Sequence, residues 1–209
     1  MAPVCDPHWD YEMAMFDEGA ATVGGVDEVG RGAWAGPVSV GVTVVDRATI
    51  FALPSGVRDS KMLSPLARER LFDPLRAAVT AYSIGHATSD ECDLLGMTAA
   101  LGLATTRALA GLAVQPDRLI LDGTHNYTGL PGVLTVARAD QVAISVAAAS
   151  VLAKVTRDRL MVEQAGLFPE FCFHANKGYP SPDHRRALSM HGLTTIHRRS
   201  WSFANDYGA

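Results

Sequence analysis

Cysteine is scarce in this chain. Cys5, Cys92 and Cys172 are the only three among 209 residues, odd in number, far apart and without a paired spacing. That argues against a disulfide framework or a thiolate zinc site and points to thiols kept reduced in the cytoplasm. Long apolar runs are missing too: the longest, Val142 to Ala153, is rich in Ala and Ser and too short to span a bilayer. The first residues carry Asp6, Asp10, Glu12, Asp17 and Glu18 where a signal peptide would have a basic start and an apolar stretch. A cytoplasmic location is therefore expected. Positive charge is not in excess, since 18 Lys and Arg stand against 22 Asp and Glu for a net charge of -4. No global basic signature marks a nucleic-acid binder. No phosphate loop of the form GxxxxGK with a following Ser or Thr occurs, and no GxGxxG, HExxH, CxxC or GxSxG. Internal repeats and low-complexity linkers are absent as well.

What is present suits one globular domain, with room for an appended subdomain: 48% of residues are hydrophobic and 19% charged. Charge is unevenly spread. From Lys154 onward eight Lys and Arg stand against five Asp and Glu; the preceding part has ten against seventeen. An acidic front and a mildly basic back suit a metal site beside a phosphate-binding surface, although chance gives such asymmetry too.

The chain is organised around Gly25-Val26-Asp27-Glu28-Val29-Gly30-Arg31-Gly32. Apolar residues from Ala21 to Val26 lead into two adjacent carboxylates, a Gly-Arg-Gly turn follows, and a second apolar run extends from Pro37 to Val45. The pattern reads as strand, acidic turn, strand. Residues 1–20 read as a variable leader with a short helix. Ser64-Pro65 starts a helix to Val79, with Leu66, Leu71, Leu75 and Val79 on its inner side. Tyr82 to Ala87 forms a third strand. Ser89 opens a helical stretch that breaks near Gly96 and resumes from Met97 to Leu112. Leu119 to Gly123 is a short buried strand ending in an acid, and Val133 to Val136 is another. A long Ala-rich helix, Val142 to about Gln164, is expected to pack closely on the sheet. Beyond Gly166 aromatic, His and basic residues dominate, and Ser181-Pro182 caps a last helix, Asp183 to His191. Strands first, then strands alternating with helices, indicate an α/β sheet with an antiparallel hairpin at one side and a C-terminal helical appendage.

Acids stand at three separate element ends: Asp27-Glu28, Asp122 and Asp140. Strand ends from distant parts of a sheet can meet at one edge. Carboxylates gathered there would repel unless a hard cation such as Mg²⁺ or Mn²⁺ joined them. Two such ions, roughly 3.5–4 Å apart, would activate water and stabilise the leaving oxygen of a phosphodiester. Each acid also has an ordinary role open to it. Asp122-Gly123 is a common turn pair, and Asp140 is as well placed to cap a helix as to serve chemistry. Asp158 reads as the partner of a neighbouring Arg. Asp27 and Glu28, as strand neighbours, should point to opposite faces, so both reach one site only if the chain bends or bulges. The phosphate side has weaker signals. Gly30-Arg31-Gly32 offers amides and a guanidinium, Asp59-Ser60-Lys61 a hydroxyl and an ammonium, and Lys177-Gly178-Tyr179 a cation beside a ring. Each of these is also an ordinary solvated loop. His197-Arg198-Arg199 is a phosphate contact or a surface tail, and His86 a structural histidine.

The motifs Val26 to Gly32 with Ala35-Gly36-Pro37-Val38, Asp59-Ser60-Lys61, Leu121-Asp122-Gly123, Ala147 to Asp158, Lys177-Gly178-Tyr179 and Ile196 to Ser200 resemble, in order, those of the bacterial ribonuclease HII family. The resemblance covers nearly the whole chain, residues 22–203. It implies a ribonuclease H-like fold: a mixed five-stranded sheet flanked by helices, with a C-terminal helical extension. Residues 21–165 would be the catalytic domain and 166–209 the extension completing the substrate groove. The implied activity is Mg²⁺- or Mn²⁺-dependent hydrolysis of RNA in RNA–DNA hybrids. It includes incision of duplex DNA 5′ to single ribonucleotides, leaving 3′-hydroxyl and 5′-phosphate ends. The family's acids correspond to Asp27, Glu28, Asp122 and Asp140. Gly30, Arg31 and Gly32 would read the ribose 2′-hydroxyl. Tyr179 would contact the deoxynucleotide after the junction, Lys61 a phosphate, and Ser60 and Lys177 would line the substrate site. A monomer is expected. One departure is Arg138-Ala139-Asp140, where the family usually has Lys-Gly-Asp: the backbone freedom of Gly is lost at Ala139, and Asp158 is the alternative fourth acid.

Overall fold

The structure, a computed structural model, describes residues 6–208. Its centre is one five-stranded sheet in the order β3-β2-β1-β4-β5. β1 (Thr22–Val29) and β2 (Val38–Asp46) form the hairpin anticipated from the two apolar runs, and β3 (Ala81–Ala87) pairs antiparallel with β2. β4 (Arg118–Asp122) lies parallel to β1, and β5 (Val133–Val136) parallel to β4. The parallel β1–β4 pairing requires a long crossover. Helix α1 (Asp10–Asp17) precedes β1; α2 (Pro65–Ala78) lies between β2 and β3, and α3 (Ser89–Leu95) and α4 (Met97–Ala110) between β3 and β4, all three within that connection.

Helices cover both faces, so β2 is buried along nearly its whole length and reads as a continuous Val-rich run rather than an alternating one. On one face α5 (Ile144–Leu167) packs with α1 and α2 around Val23, Val45 and Ile120. On the other, α4 packs against Val26, Val40, Val42 and Leu121. The small residues of α5 let it lie close: a side chain at Gly25 of β1 would meet the Ser145 carbonyl carbon at 2.2 Å. A third core, around Phe171, Phe173, Leu188 and Phe203, joins α6 (Phe173–Asn176) and α7 (Pro182–His191) to the end of α5.

Several local expectations change. β1 continues through Val29, so Asp27 and Glu28 belong to the strand and not to the turn. Leu66 is exposed, because it stands nine residues, or about 180° of helix, from buried Leu75. Asp140 caps no helix: it sits in a 3₁₀ turn, Ala139–Gln141, and the residue preceding α5 is Ala143. Cys92 and Cys172 are free thiols, as expected; Cys5 lies outside the described residues. Among the described residues no helix is long and apolar enough to cross a membrane.

Candidate active site

Strand alternation decides how the acids meet. Val23, Gly25 and Asp27 face α5, while Val26 and Glu28 face α4. Leu121 of β4 pairs with Val26, so Asp122 comes alongside Asp27 at the next step. The β1–β2 register is regular to its end, without a bulge. Asp27 and Glu28 therefore approach from opposite sides of one strand end. Even so, Asp27, Glu28 and Asp122 each present a carboxylate oxygen within 4.8 Å of the others. Asp140 stands beside this trio. Its turn is tied to it by the Ala139 amide, which donates to Asp122 Oδ1 at 2.7 Å.

Ala139 costs the turn nothing. It has no positive φ and its side chain is fully buried; the left-handed residue is Arg138, at φ 57°. The backbone freedom anticipated from the usual Gly is therefore not needed at this position.

The electrostatics are those of crowded like charges. Burial and the neighbouring Glu28 charge raise the Asp27 carboxyl well above its ordinary range, against a hydrogen bond from Ser150. Burial and Asp122 raise Glu28, while Arg31 and Tyr127 oppose the shift. Asp140 is raised to about 6 by burial and by the Asp122 and Asp59 charges, partly offset by Lys61. Few cations answer these acids: Lys61 Nζ lies 3.6 Å from Asp140, and Arg31 Nη1 lies 3.5 Å from Glu28. An all-oxygen donor set with surplus negative charge fits a hard divalent cation.

Gly30, Arg31 and Gly32 flank the acids directly. The Gly30 amide donates to the Tyr179 hydroxyl at 3.1 Å, Arg31 is exposed, and nothing lies within 4 Å of where a Gly32 side chain would begin. Tyr179 bridges the main sheet and the C-terminal part, with Lys154 and Arg157 5.6 and 5.4 Å from its ring centre. Lys177 donates to the His174 carbonyl. Ser60 is buried, its hydroxyl hydrogen-bonded to that of Ser150 at 2.9 Å. Asp158 lies apart: it pairs with Lys154 at 2.6 Å, not with an Arg, in a cleft of about 690 Å³ that also holds Arg68, Lys177 and Tyr179.

Three features add to or depart from the reading of the sequence. Tyr127, in the loop after β4, donates to Glu28 Oε2 at 3.3 Å. Asp59 is a fifth acid, buried against Asp140. His197 and Arg198 are fully buried, neither phosphate contacts nor a surface tail; only Arg199 of that run is exposed. His86 bonds Ser39 at 2.7 Å, in the structural role expected of it.

The mixed sheet brings acids to the ends of its central strands, and solved structures that share this fold are enzymes of the ribonuclease H class. Residues 24–204 match the family model for Ribonuclease HII, and the chain belongs to that family. It is 55% identical over 190 residues to a Ribonuclease HII of Streptomyces griseus subsp. griseus, covering 88% of this chain and 79% of that protein. The crystal structure of the ribonuclease H2 from Pyrococcus horikoshii OT3 superposes with a TM-score of 0.78 at 32% identity, over 89% of this chain and 96% of the other. Bst-RNase HIII in complex with Mn²⁺ has the same fold, with a TM-score of 0.73 at 22% identity, over 96% of this chain and 73% of the other.

Proposed function

We propose that this enzyme hydrolyses the RNA of RNA–DNA hybrids and cuts duplex DNA on the 5′ side of a single embedded ribonucleotide, leaving a 3′-hydroxyl and a 5′-phosphate. The observation that carries this reading is the meeting of Asp27, Glu28 and Asp122 beside Asp140, with Gly30-Arg31-Gly32 at its rim. Asp27, Glu28, Asp122 and Asp140 would hold two divalent ions, Mg²⁺ or Mn²⁺. When bound, such ions activate water and stabilise negative charge on a departing oxygen.

The rest is the work of the chain's own groups. Open backbone at Gly32 and the exposed Arg31 would meet the ribose, whose 2′-hydroxyl separates RNA from DNA. Tyr179 would contact the deoxynucleotide past the junction, steadied by the Gly30 amide so that ribose reading and junction reading move together. Lys61 and Lys177 would meet phosphates, and Ser60 would support Lys61 from beneath. On the same reading residues 21–165 form the catalytic domain, 166–209 complete the groove, and the enzyme works as a cytoplasmic monomer.

The test is a DNA duplex carrying one ribonucleotide, beside an all-DNA control, incubated with Mg²⁺, Mn²⁺ or chelator. A metal-dependent nick 5′ to the ribonucleotide, absent from the control, is expected. Activity on long hybrids alone would remove Tyr179 as a junction contact. Binding without cutting in either metal would make the protein a hybrid-binding module and end the proposal.

A further inference from the structure

The leader contains a fully buried carboxylate. Glu12 of α1 accepts two bonds through one oxygen, from the Ser145 amide at 2.8 Å and the Ser145 hydroxyl at 2.6 Å, across 133 residues of sequence. Its other oxygen, Oε2, is buried without a partner among the described residues. Ser145 lies in the first turn of α5, whose preceding residue, Ala143, offers no side-chain cap. Glu12 therefore supplies from a distance what a local Ser or Asp would normally provide at a helix start. A few residues earlier the leader adds a second tie. The His8 amide donates to the Val142 carbonyl at 3.2 Å, and the Ile144 amide donates to the His8 carbonyl at 2.9 Å.

The segment so gripped is the one that carries Asp140. The Ala143 amide closes the turn onto the Ala139 carbonyl at 2.8 Å, and the Ala139 amide reaches Asp122. Ser145 is held on its other sides by β1 at Gly25 and by the Thr43 hydroxyl, which donates to its carbonyl at 2.7 Å. The axial position of α5 also sets Ser150, which bonds Asp27 and Ser60.

We infer that Glu12 is a positioning residue for the acidic site: through Ser145 it holds the start of α5, and with it the turn that aims Asp140 at Asp122. The inference rests on the reading of Asp140 as a site acid. A segment that precedes the family-matched residues 24–204 thus becomes part of the machinery.

The experiment compares Glu12→Ala, Glu12→Gln and the unaltered chain, well below their melting temperatures. Amide exchange of the segment 139–146 should quicken about fivefold in Glu12→Ala, the loss of one helix cap, with β1 and β2 unaffected. Mn²⁺ affinity, read by titration without substrate, should fall about tenfold, as for loss of other groups that orient metal ligands. Glu12→Gln keeps an acceptor for Ser145 and should restore both. Should Glu12→Ala fail to fold, Ser145→Ala removes the 2.6 Å bond and takes its place. Exchange that quickens evenly over the whole protein, or unchanged Mn²⁺ affinity, would overturn the inference. Asp140→Asn serves as the separate control. If it binds Mn²⁺ like the unaltered protein, the reading of Asp140 fails, and the exchange pattern alone decides whether Glu12 holds the turn.

Discussion

The acidic sheet end and the C-terminal wrap treat charge in opposite ways. At the sheet end, Asp27, Glu28, Asp122 and Asp140 crowd together with only Lys61 and Arg31 paired to them among the described residues, and burial and repulsion hold Asp27, Glu28 and Asp140 up. The wrap comprises residues 168–208 and the stretch of α5 they cover; there two guanidiniums, Arg157 of α5 and Arg198, are fully buried yet meet neutral carbonyls. Arg157 donates to Pro37, Lys177 and Ala35 at 2.8, 3.0 and 3.2 Å, and Arg198 to Arg31, Gly30 and Gly36 at 2.9, 2.7 and 3.3 Å. Beside them His184 and His197 share a bond between their Nε2 atoms at 2.9 Å; burial lowers both, His197 to about 3, so the pair is neutral at pH 7. Charge left unanswered marks a place prepared for a ligand; charge answered by backbone marks scaffold. The wrap uses its cations to shape the Gly30–Gly36 loop, which carries the groups proposed to read the substrate.

Removing one unanswered charge should have the largest effect on activity. Asp27→Asn is expected to reduce turnover to background while the metal-free protein melts no lower than the unaltered chain, because like-charge repulsion is relieved. Wild-type turnover with Mg²⁺ would sink the site assignment. Removing an answered charge should instead strike stability. Arg157→Met leaves three carbonyls without their donor, and a loss on the order of 3 kcal/mol, or roughly 6–12 °C in melting temperature, is expected by calorimetry.

A smaller effect separates the regions by pH. Asp140 keeps its proton up to about 6 in the folded chain, whereas an unfolded Asp loses it near 4. Between those values the folded state binds more protons, so this group's contribution makes the metal-free protein less stable as pH rises, reaching its full penalty above about 6. In chelator, the melting curves of the unaltered chain and Asp140→Asn should diverge from pH 4 to 6 and then run parallel. Curves parallel throughout would show that neither burial nor the neighbouring acids raise Asp140. The smallest effect belongs to Asp158, whose charge Lys154 already answers. Asp158→Asn should leave turnover within a few-fold and cost about 1 kcal/mol or less; abolished turnover would make Asp158 the fourth acid after all.

How much was legible follows from how local each feature is. Strands β2 to β5, the break at Gly96, and the caps Ser64 and Ser181 rest on patterns spanning a few residues, and they appear as read, whereas β1 runs on through the residues read as an acidic turn. The four acids were legible as apolar runs ending in carboxylates or as part of the family's ordered motifs. Their junction without a bulge was not, because it depends on β4 entering beside β1 from about ninety residues away. Tyr127 lay in a loop with no period to read, and Arg198 resembled a surface tail because its acceptors stand more than 160 residues earlier.

Sequence by itself determined the continuous apolar runs and the succession of strands and helices that bury the sheet on both faces, the scarcity of thiols, and the presence of acids and glycines in the family's order. Tertiary structure alone decided which charges would be neutralised and which left open. A residue's own chemistry and its near neighbours set its propensity. Neutralisation, however, requires a partner at hydrogen-bond distance, and here those partners are brought together by strand order and by a leader helix that caps another helix 133 residues away.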